Sequence, residues 1–397
     1  MSSISNFAVS IYIARTLGAV EFGAFSLAYV TYGFALNASR GLATDPLLVR
    51  FSHPDLPAWR RAVAGCSGTA LAVGLVAGAC VLIVAMLLNG TIRLAFLALG
   101  LSLPGLLLQD SWRFAFFALG RGSQAFLNDA IWAAALLPAL VLLRLNGSTN
   151  VFWLVLAWGA AAAVAAAIGP VQARVAPRLS EAPRWVWRHR DLGPRYLAEG
   201  TTNSAQNQLR TYGISLILGL AAVGYVQAAN TLMGPFMVLY FGMGLVALPE
   251  AARILRRSRR QLPVFCALLG AGLALAGLAW GGVLLAMLPR GLGQWLLGPL
   301  WRPTYRLLVP LTASIVGASL GAGAGTGLHA LGAARRSLRA MAVGAVVFVS
   351  CSLAGAAAGG AVGTMSGAAV ATWVGALVFW WQLRAALKDA PDVVPTG

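Results

Sequence analysis

The chain has 397 residues, of which 59% are hydrophobic and only 10% charged, and its mean hydropathy is +0.77; a water-soluble domain carries about 25% charged residues. The formal net charge of +18 argues for a nucleic-acid partner only if the basic residues share a polar surface. Here they fall in loops between long apolar runs, which is how membrane topology is signalled, so composition speaks against both a soluble fold and nucleic acid. The runs are too long and too weakly alternating for barrel strands, and the fold class expected is an all-α polytopic membrane protein.

About twelve spans are expected, near 3–15, 23–47, 62–88, 93–118, 124–144, 151–174, 196–218, 222–248, 262–287, 304–330, 339–358 and 361–384. The first is short. A dozen apolar residues before Arg15, at about 1.5 Å each, fall short of a hydrocarbon core of about 30 Å; its true start is expected upstream of Met1, or the helix is trimmed. The second span carries Tyr29, Gly33, Asn37, Arg40 and Thr44 on one broad face. The fourth carries Gln109, Asp110 and Arg113. Asp110 and Arg113 stand three apart and can pair on one helix face, or Arg113 can snorkel to the membrane surface. Asn128 and Asp129 open the fifth span, and Gln227 and Asn230 lie in the eighth.

Between the sixth and seventh spans runs "SEAPRWVWRHRDLGPR", Ser180 to Arg195. Trp185 and Trp187 among arginines fit a short segment lying on the inner leaflet, or an ordinary basic loop. The seventh span is the most polar. At about 100° per residue, Glu199, Asn203, Gln206 and Arg210 fall on a stripe about 60° wide, flanked by Asn207. A charge near the bilayer centre costs roughly 3 kcal/mol or more, so this stripe is expected to wall a wet cavity. Arg40, Arg113 and Arg210 together suggest an anionic ligand, because guanidinium forks match phosphate oxygens and stay charged. Glu199 and Asp110 are expected to tune those arginines or to bind a coupling ion. Pro104, Pro138, Pro235 and Pro310 fall inside spans and should kink them. Gly317, Gly321 and Gly325, and Gly355, Gly359, Gly363 and Gly367, recur every four residues, a spacing that permits close helix approach.

Arginine asymmetry sets the expected orientation. Alternate loops and the tail hold Arg50, Arg60, Arg61, Arg121, the series from Arg174 to Arg195, Arg253 to Arg260, Arg335 to Arg339, Arg384 and Lys388; the opposite loops hold Arg15, Arg93, Arg144, Arg290, Arg302 and Arg306. Both termini are therefore expected on the cytoplasmic side of a bacterial inner membrane. The chain also repeats itself. "LGAVEFGAFSLA" from Leu17 matches "LGLAAVGYVQAA" from Leu218, and "ALGRGSQAFL" from Ala118 matches "ALGAARRSLR" from Ala330. Six spans per half give a parallel repeat, with the substrate site expected between the halves. The expected division is a first lobe over 1–178, a linker over 179–195, a second lobe over 196–386 and a tail over 387–397.

Several chemistries are excluded. The only lysine, Lys388, is followed by Asp389, so there is neither a Gly-Lys-Ser/Thr phosphate loop nor an embedded Schiff-base lysine. His53, His189 and His329 lack metal spacing. Cys66, Cys80, Cys266 and Cys351 read as packing residues. No cofactor, metal or catalytic set is expected, and the chain is not expected to be an enzyme.

The stretch "ARTLGAVEFGAFSLA", Ala14 to Ala28, resembles the signature after the first helix of the polysaccharide-transport flippases, the O-antigen-type members of the multidrug/oligosaccharidyl-lipid/polysaccharide exporter superfamily. "QDSWRFAFFALGRGSQAFLNDAIW", Gln109 to Trp132, and "HALGAARRSLRA", His329 to Ala340, resemble its later helix–loop–helix junctions. The resemblance implies two six-helix lobes related by a pseudo-twofold repeat, alternating access, and an isoprenoid-diphosphate-linked oligosaccharide moved from the inner to the outer leaflet. It implies a diphosphate-binding role for Arg40, Arg113 and Arg210, with Asn37, Asn203, Gln206 and Asn207 beside them. Partners would be membrane lipids and enzymes of the polysaccharide pathway. The short first span departs from the family pattern. Two other readings stand beside it: a drug or metabolite antiporter of the same fold, coupled to sodium or protons through Glu199 or Asp110, and an integral-membrane polymerase or ligase of the same pathway.

Overall fold

The computed structural model describes residues 10–51 and 56–389, without the side chains of 194–204 and 245. The span expected at 3–15 therefore lies mostly outside the described residues, of which 10–16 form α1. The helices that follow are α2 (Ala19–Ser39), a π-helical turn (Arg40–Thr44), α3 (Asp45–Phe51), α4 (Leu56–Leu87), α5 (Gly90–Ala118), α6 (Gly122–Leu145), α7 (Val151–Ala173), α8 (Ala182–Arg188) and α9 (Gly193–Leu218). Then come α10 (Leu220–Leu232), α11 (Gly234–Arg257), α12 (Leu262–Met287), α13 (Leu292–Leu297), α14 (Trp301–Ala330) and α15 (Ala334–Asp389). Among the described residues there is no strand, and nine helical segments are long and apolar enough to cross a membrane. This is a multi-pass all-α membrane fold. Large apolar side chains such as Leu87, Leu216 and Val171 stand outward, as lipid-facing positions require.

The span count follows from where glycine and proline break helices. The span expected at 222–248 divides at Met233, where Gly234 and Pro235 open α11. The last two spans run together as α15 and part only at Gly359 and Gly360, whose φ/ψ of −142°/22° and 61°/−145° are not helical. The chain doubles back there. A β-carbon at Gly355 would stand 2.1 Å from the Gly363 carbonyl oxygen, and one at Gly367 would stand 2.0 Å from the Cys351 carbonyl oxygen. Only glycine lets two backbones approach this closely.

The chain divides into two compact units. Residues 16–211 belong to the first; Ser10–Arg15 and Tyr212 onward belong to the second. Of the two matched stretches, one recurs as matching local geometry. Gly18 and Gly219 each precede the first residue of a helix, α2 and α10, but with φ of −70° and 80°. Gly120 and Gly332 both adopt positive φ, +67° and +66°. Each ends a helix with the same pair of bonds: Gly120 N–H to the Phe117 carbonyl and Arg121 N–H to Phe116; Gly332 N–H to His329 and Ala333 N–H to Leu328. This is a left-handed C-terminal cap, which glycine adopts without strain.

In the first unit, proline and tryptophan together set the helix contacts. A proline leaves the carbonyl four residues before it without its helical N–H donor, and such a carbonyl inside an apolar bundle needs another. Pro170 frees Ala166, whose carbonyl accepts the Trp112 indole N–H at 3.0 Å. Pro46 frees Leu42, whose carbonyl accepts Trp185 Nε1 at 3.2 Å. Trp59 Nε1 donates at 3.0 Å to Ala115, in the last turn of α5. Trp112, packed over Gly169, is fully buried.

Candidate functional site

The π-helical turn that α2 runs into begins at Arg40. It absorbs the strain of Pro46 by widening the backbone, with Asp45 N–H bonded to the Arg40 carbonyl. Outside donors hold the widened turn: Trp185 on Leu42, and Cys66 Sγ at 3.3 Å on Ala43. Turns of this kind recur at functional positions because they re-aim a side chain.

Arg40 meets Asp110 of α5 as a two-pronged pair, Nε to Oδ2 at 2.9 Å and Nη2 to Oδ1 at 2.8 Å. Its guanidinium also lies 4.9 Å from the Phe114 ring centre. Arg113 reaches the same Asp110 Oδ1 at 3.4 Å, and its Nε lies 3.2 Å from Asp129 Oδ1 of α6. Gln109 donates to both Asp129 and Asn128 at 3.2 Å. Asn128 donates in turn to the Ala165 carbonyl and to Gln172 Oε1 of α7. Four helices of the first unit are thus tied by one continuous chain of polar side chains. Its two arginines face two aspartates, so the network balances its charge. The Asp110 side chain is 4% exposed, against 32% for Arg40 and 22% for Arg113. The acid is sealed and both guanidiniums keep an open edge.

Along α2 from this network runs an aromatic series. Trp158 of α7 packs edge-on to Tyr32 with ring centres 4.9 Å apart, and lies 5.9 Å from Tyr29. Phe25 and Phe22 continue the stack.

The structure thus brings Arg40, Asp110 and Arg113 together. Asn37 is half-buried on α2. Arg210 is buried on α9, with Gln206 half-buried and Asn207 exposed beside it; it takes no part in the pairs just described. The side chains of Glu199 and Asn203 lie outside the described ones. Asp129, Gln109, Asn128 and Gln172 complete the network, and the first three are visible in sequence only as polar residues in apolar runs. Gln172 carries the same signal at the end of α7, whereas Trp158 gives none.

The all-α multi-pass fold that carries this arginine–aspartate network is similar to that of solved transporters of the MOP superfamily. One is an inward-facing multidrug resistance MATE family transporter, with a TM-score of 0.73 at 15% identity over 98% of this chain and 96% of that one. The lipid II flippase MurJ, in an inward closed conformation, gives 0.64 at 10% identity over 95% and 87%. A MOP superfamily transporter from Pyrococcus furiosus, described as having a binding pocket of reverse polarity, gives 0.51 at 12% identity over 98% and 93%. No protein-family model matches the chain, and no curated protein matches it in sequence.

Proposed function

We propose that this chain is an alternating-access flippase. It moves an isoprenoid-diphosphate-linked oligosaccharide from the inner to the outer leaflet of a bacterial cytoplasmic membrane, for cell-surface polysaccharide synthesis. The observation that carries this reading is the open edge on each guanidinium. Arg40 uses Nε and Nη2 on Asp110, and Arg113 turns Nε and Nη1 toward carboxylates. Each keeps a further N–H2 group, and two such groups suit the oxygens of a diphosphate. The buried aspartate fixes the arginines in place, so little ordering remains to be done on binding. Arg210, with Gln206 and Asn207, supplies a further polar station on α9, with Asn37 beside Arg40 on α2. The aromatic series from Trp158 to Phe22 offers flat apolar faces to sugar rings. Moving one negative charge outward is favoured by about 2.3 kcal/mol per 100 mV of inside-negative potential, and no nucleotide is needed. That a structural neighbour is a lipid II flippase supports the same class of cargo.

The test is leaflet translocation in proteoliposomes, using a fluorescent isoprenoid-diphosphate-linked sugar. Wild type should translocate it, and Arg113→Gln should slow it at least tenfold per folded molecule. Translocation no faster than in protein-free liposomes would overturn the reading. A second reading is favoured by the embedded acids Asp110 and Asp129 and by the MATE neighbours: a drug or metabolite antiporter driven by sodium or protons. It predicts gradient-dependent efflux of an organic cation that Asp110→Asn abolishes.

A further inference from the structure

Away from the ion-pair network, α8 and the loop before it dock on the start of α4 and flank a half-open pocket of about 440 Å³. Among the described residues, the arginines Arg61, Arg178, Arg184 and Arg188 line it against the carboxylate of Glu181. Glu181 pairs with Arg178 at 2.9 Å. Among the described residues, the other three guanidiniums have no carboxylate partner. These arginine side chains are exposed, so solvent screens their mutual repulsion, but together they hold a positive potential over the cleft that a bound anion would lower.

The pocket is built on rigid parts. Arg178 N–H donates to the Ala64 carbonyl at 3.0 Å. A β-carbon at Gly68 would stand 2.1 Å from the Arg178 carbonyl oxygen, so the loop rests directly on the helix. Trp185, buried and with its indole bonded to Leu42, forms one wall. On the other side of α8, Trp187 is 69% exposed with the Arg190 guanidinium 4.1 Å over its ring. An exposed tryptophan beside arginines is how a short helix lies at a membrane interface.

We propose that this pocket binds a phosphate-bearing anion, the chemistry shared by a phospholipid headgroup and a free phosphate. Guanidinium forks pair with phosphate oxygens two at a time, and the loss of self-repulsion on binding adds to that. The site does not rest on the flippase reading. Because Trp185 both walls the pocket and holds Leu42, two residues from Arg40, an occupant bears directly on the turn that aims Arg40.

The experiment is calorimetric titration of the purified full chain in nonionic detergent with dihexanoyl-phosphatidylglycerol, dihexanoyl-phosphatidylcholine and inorganic phosphate. Wild type should bind the anionic lipid, the free phosphate or both, and should ignore the zwitterionic lipid. The lipid binding alone marks the source as a headgroup; phosphate binding alone marks a soluble anion. R61Q/R184Q/R188Q should bind at least about tenfold more weakly with an unchanged melting temperature. E181Q should bind severalfold more tightly, since it removes the carboxylate that lines the pocket among the described residues; this variant also decides the matter if the triple variant does not fold. Raised salt should weaken binding, as screening requires. Failure of wild type to bind either anion, equal binding of both lipids, or wild-type affinity in the triple variant would overturn the proposal.

Discussion

Both units bury hydroxyls, but among the described residues the first also buries charge, whereas the second adds only an amide and a seam of bare backbone. In the first, Arg40, Asp110, Arg113 and Asp129 interlock three helical segments, and Asn128 ties in α7. In the second, the ion pairs among the described residues, Arg253–Glu250 and Arg336–Asp389, are partly solvated pairs near helix ends. Its buried polar side chains among the described residues are Thr231, Thr304, Thr312, Ser314, Ser319, Ser337, Ser352, Thr364 and Gln382, several of them near the glycine seam of α15. The difference teaches where ligand chemistry can reside. Charged side chains reach and re-pair, whereas a glycine seam can only fit or clash.

Asp110→Ala attacks the charged interior where it is most sealed and should have the largest effect. It strands two guanidiniums, one of them a third exposed, and is expected to cost about 3 kcal/mol, the lower end for breaking a buried pair. A clear drop in melting temperature in detergent, largely restored in the neutral pair Arg40→Gln/Asp110→Asn, is the outcome expected; no drop would mean that the network carries no stability. Gly363→Ala attacks the seam. Its β-carbon would meet the Gly355 carbonyl oxygen at 2.1 Å, which calls for a backbone shift costing about 1–3 kcal/mol. That variant should melt early while leaving phosphate or lipid binding in the first unit unchanged, which sharpens the contrast between the units.

Trp185→Phe is subtler. It keeps a ring in the wall but removes the donor from Leu42, at about 1 kcal/mol, and amide exchange of Arg40–Thr44 should quicken relative to the rest of α2. The smallest effect belongs to His189, which sits against Trp185 with ring centres 4.1 Å apart. Burial is the main cause that pushes its pKa below 6.5, aided by Arg50 and Arg188 and opposed by its bond to the Trp185 carbonyl and by Asp191. The folded chain therefore holds His189 neutral where the unfolded chain takes up a proton. The docking of α8 is at full strength above about pH 6.5 and weakens as pH falls through the lower folded value. Amide exchange at residues 182–193 should be faster at pH 5.5 than at pH 7.5, with the difference lost in His189→Phe.

The membrane class and most spans were legible because hydropathy and helix length are local properties. The repeat was legible in Gly120 and Gly332, since a left-handed cap marks its own residue type. Asp110 and Arg113, three apart, announced a possible pair. The Arg40–Asp110 pair did not, because a bond across seventy residues leaves no periodicity. Pro46 implied a freed carbonyl at Leu42, yet nothing in spacing told that Trp185 would cap it. The linker was read as an interfacial segment or a plain loop; its tryptophans divide, Trp185 turned inward and Trp187 outward, and that division creates the pocket.

The Gly359–Gly360 break has a mechanical consequence. With Gly355 seated against Gly363, and Cys351 against Gly367, the two arms of α15 cannot slide past one another without separating their backbones. Residues 334–389 therefore act as one stiff lever, and whatever bending the second unit undergoes must find its hinge elsewhere. The interruption at Met233, between α10 and α11, is one break in the second unit where such a hinge would fit.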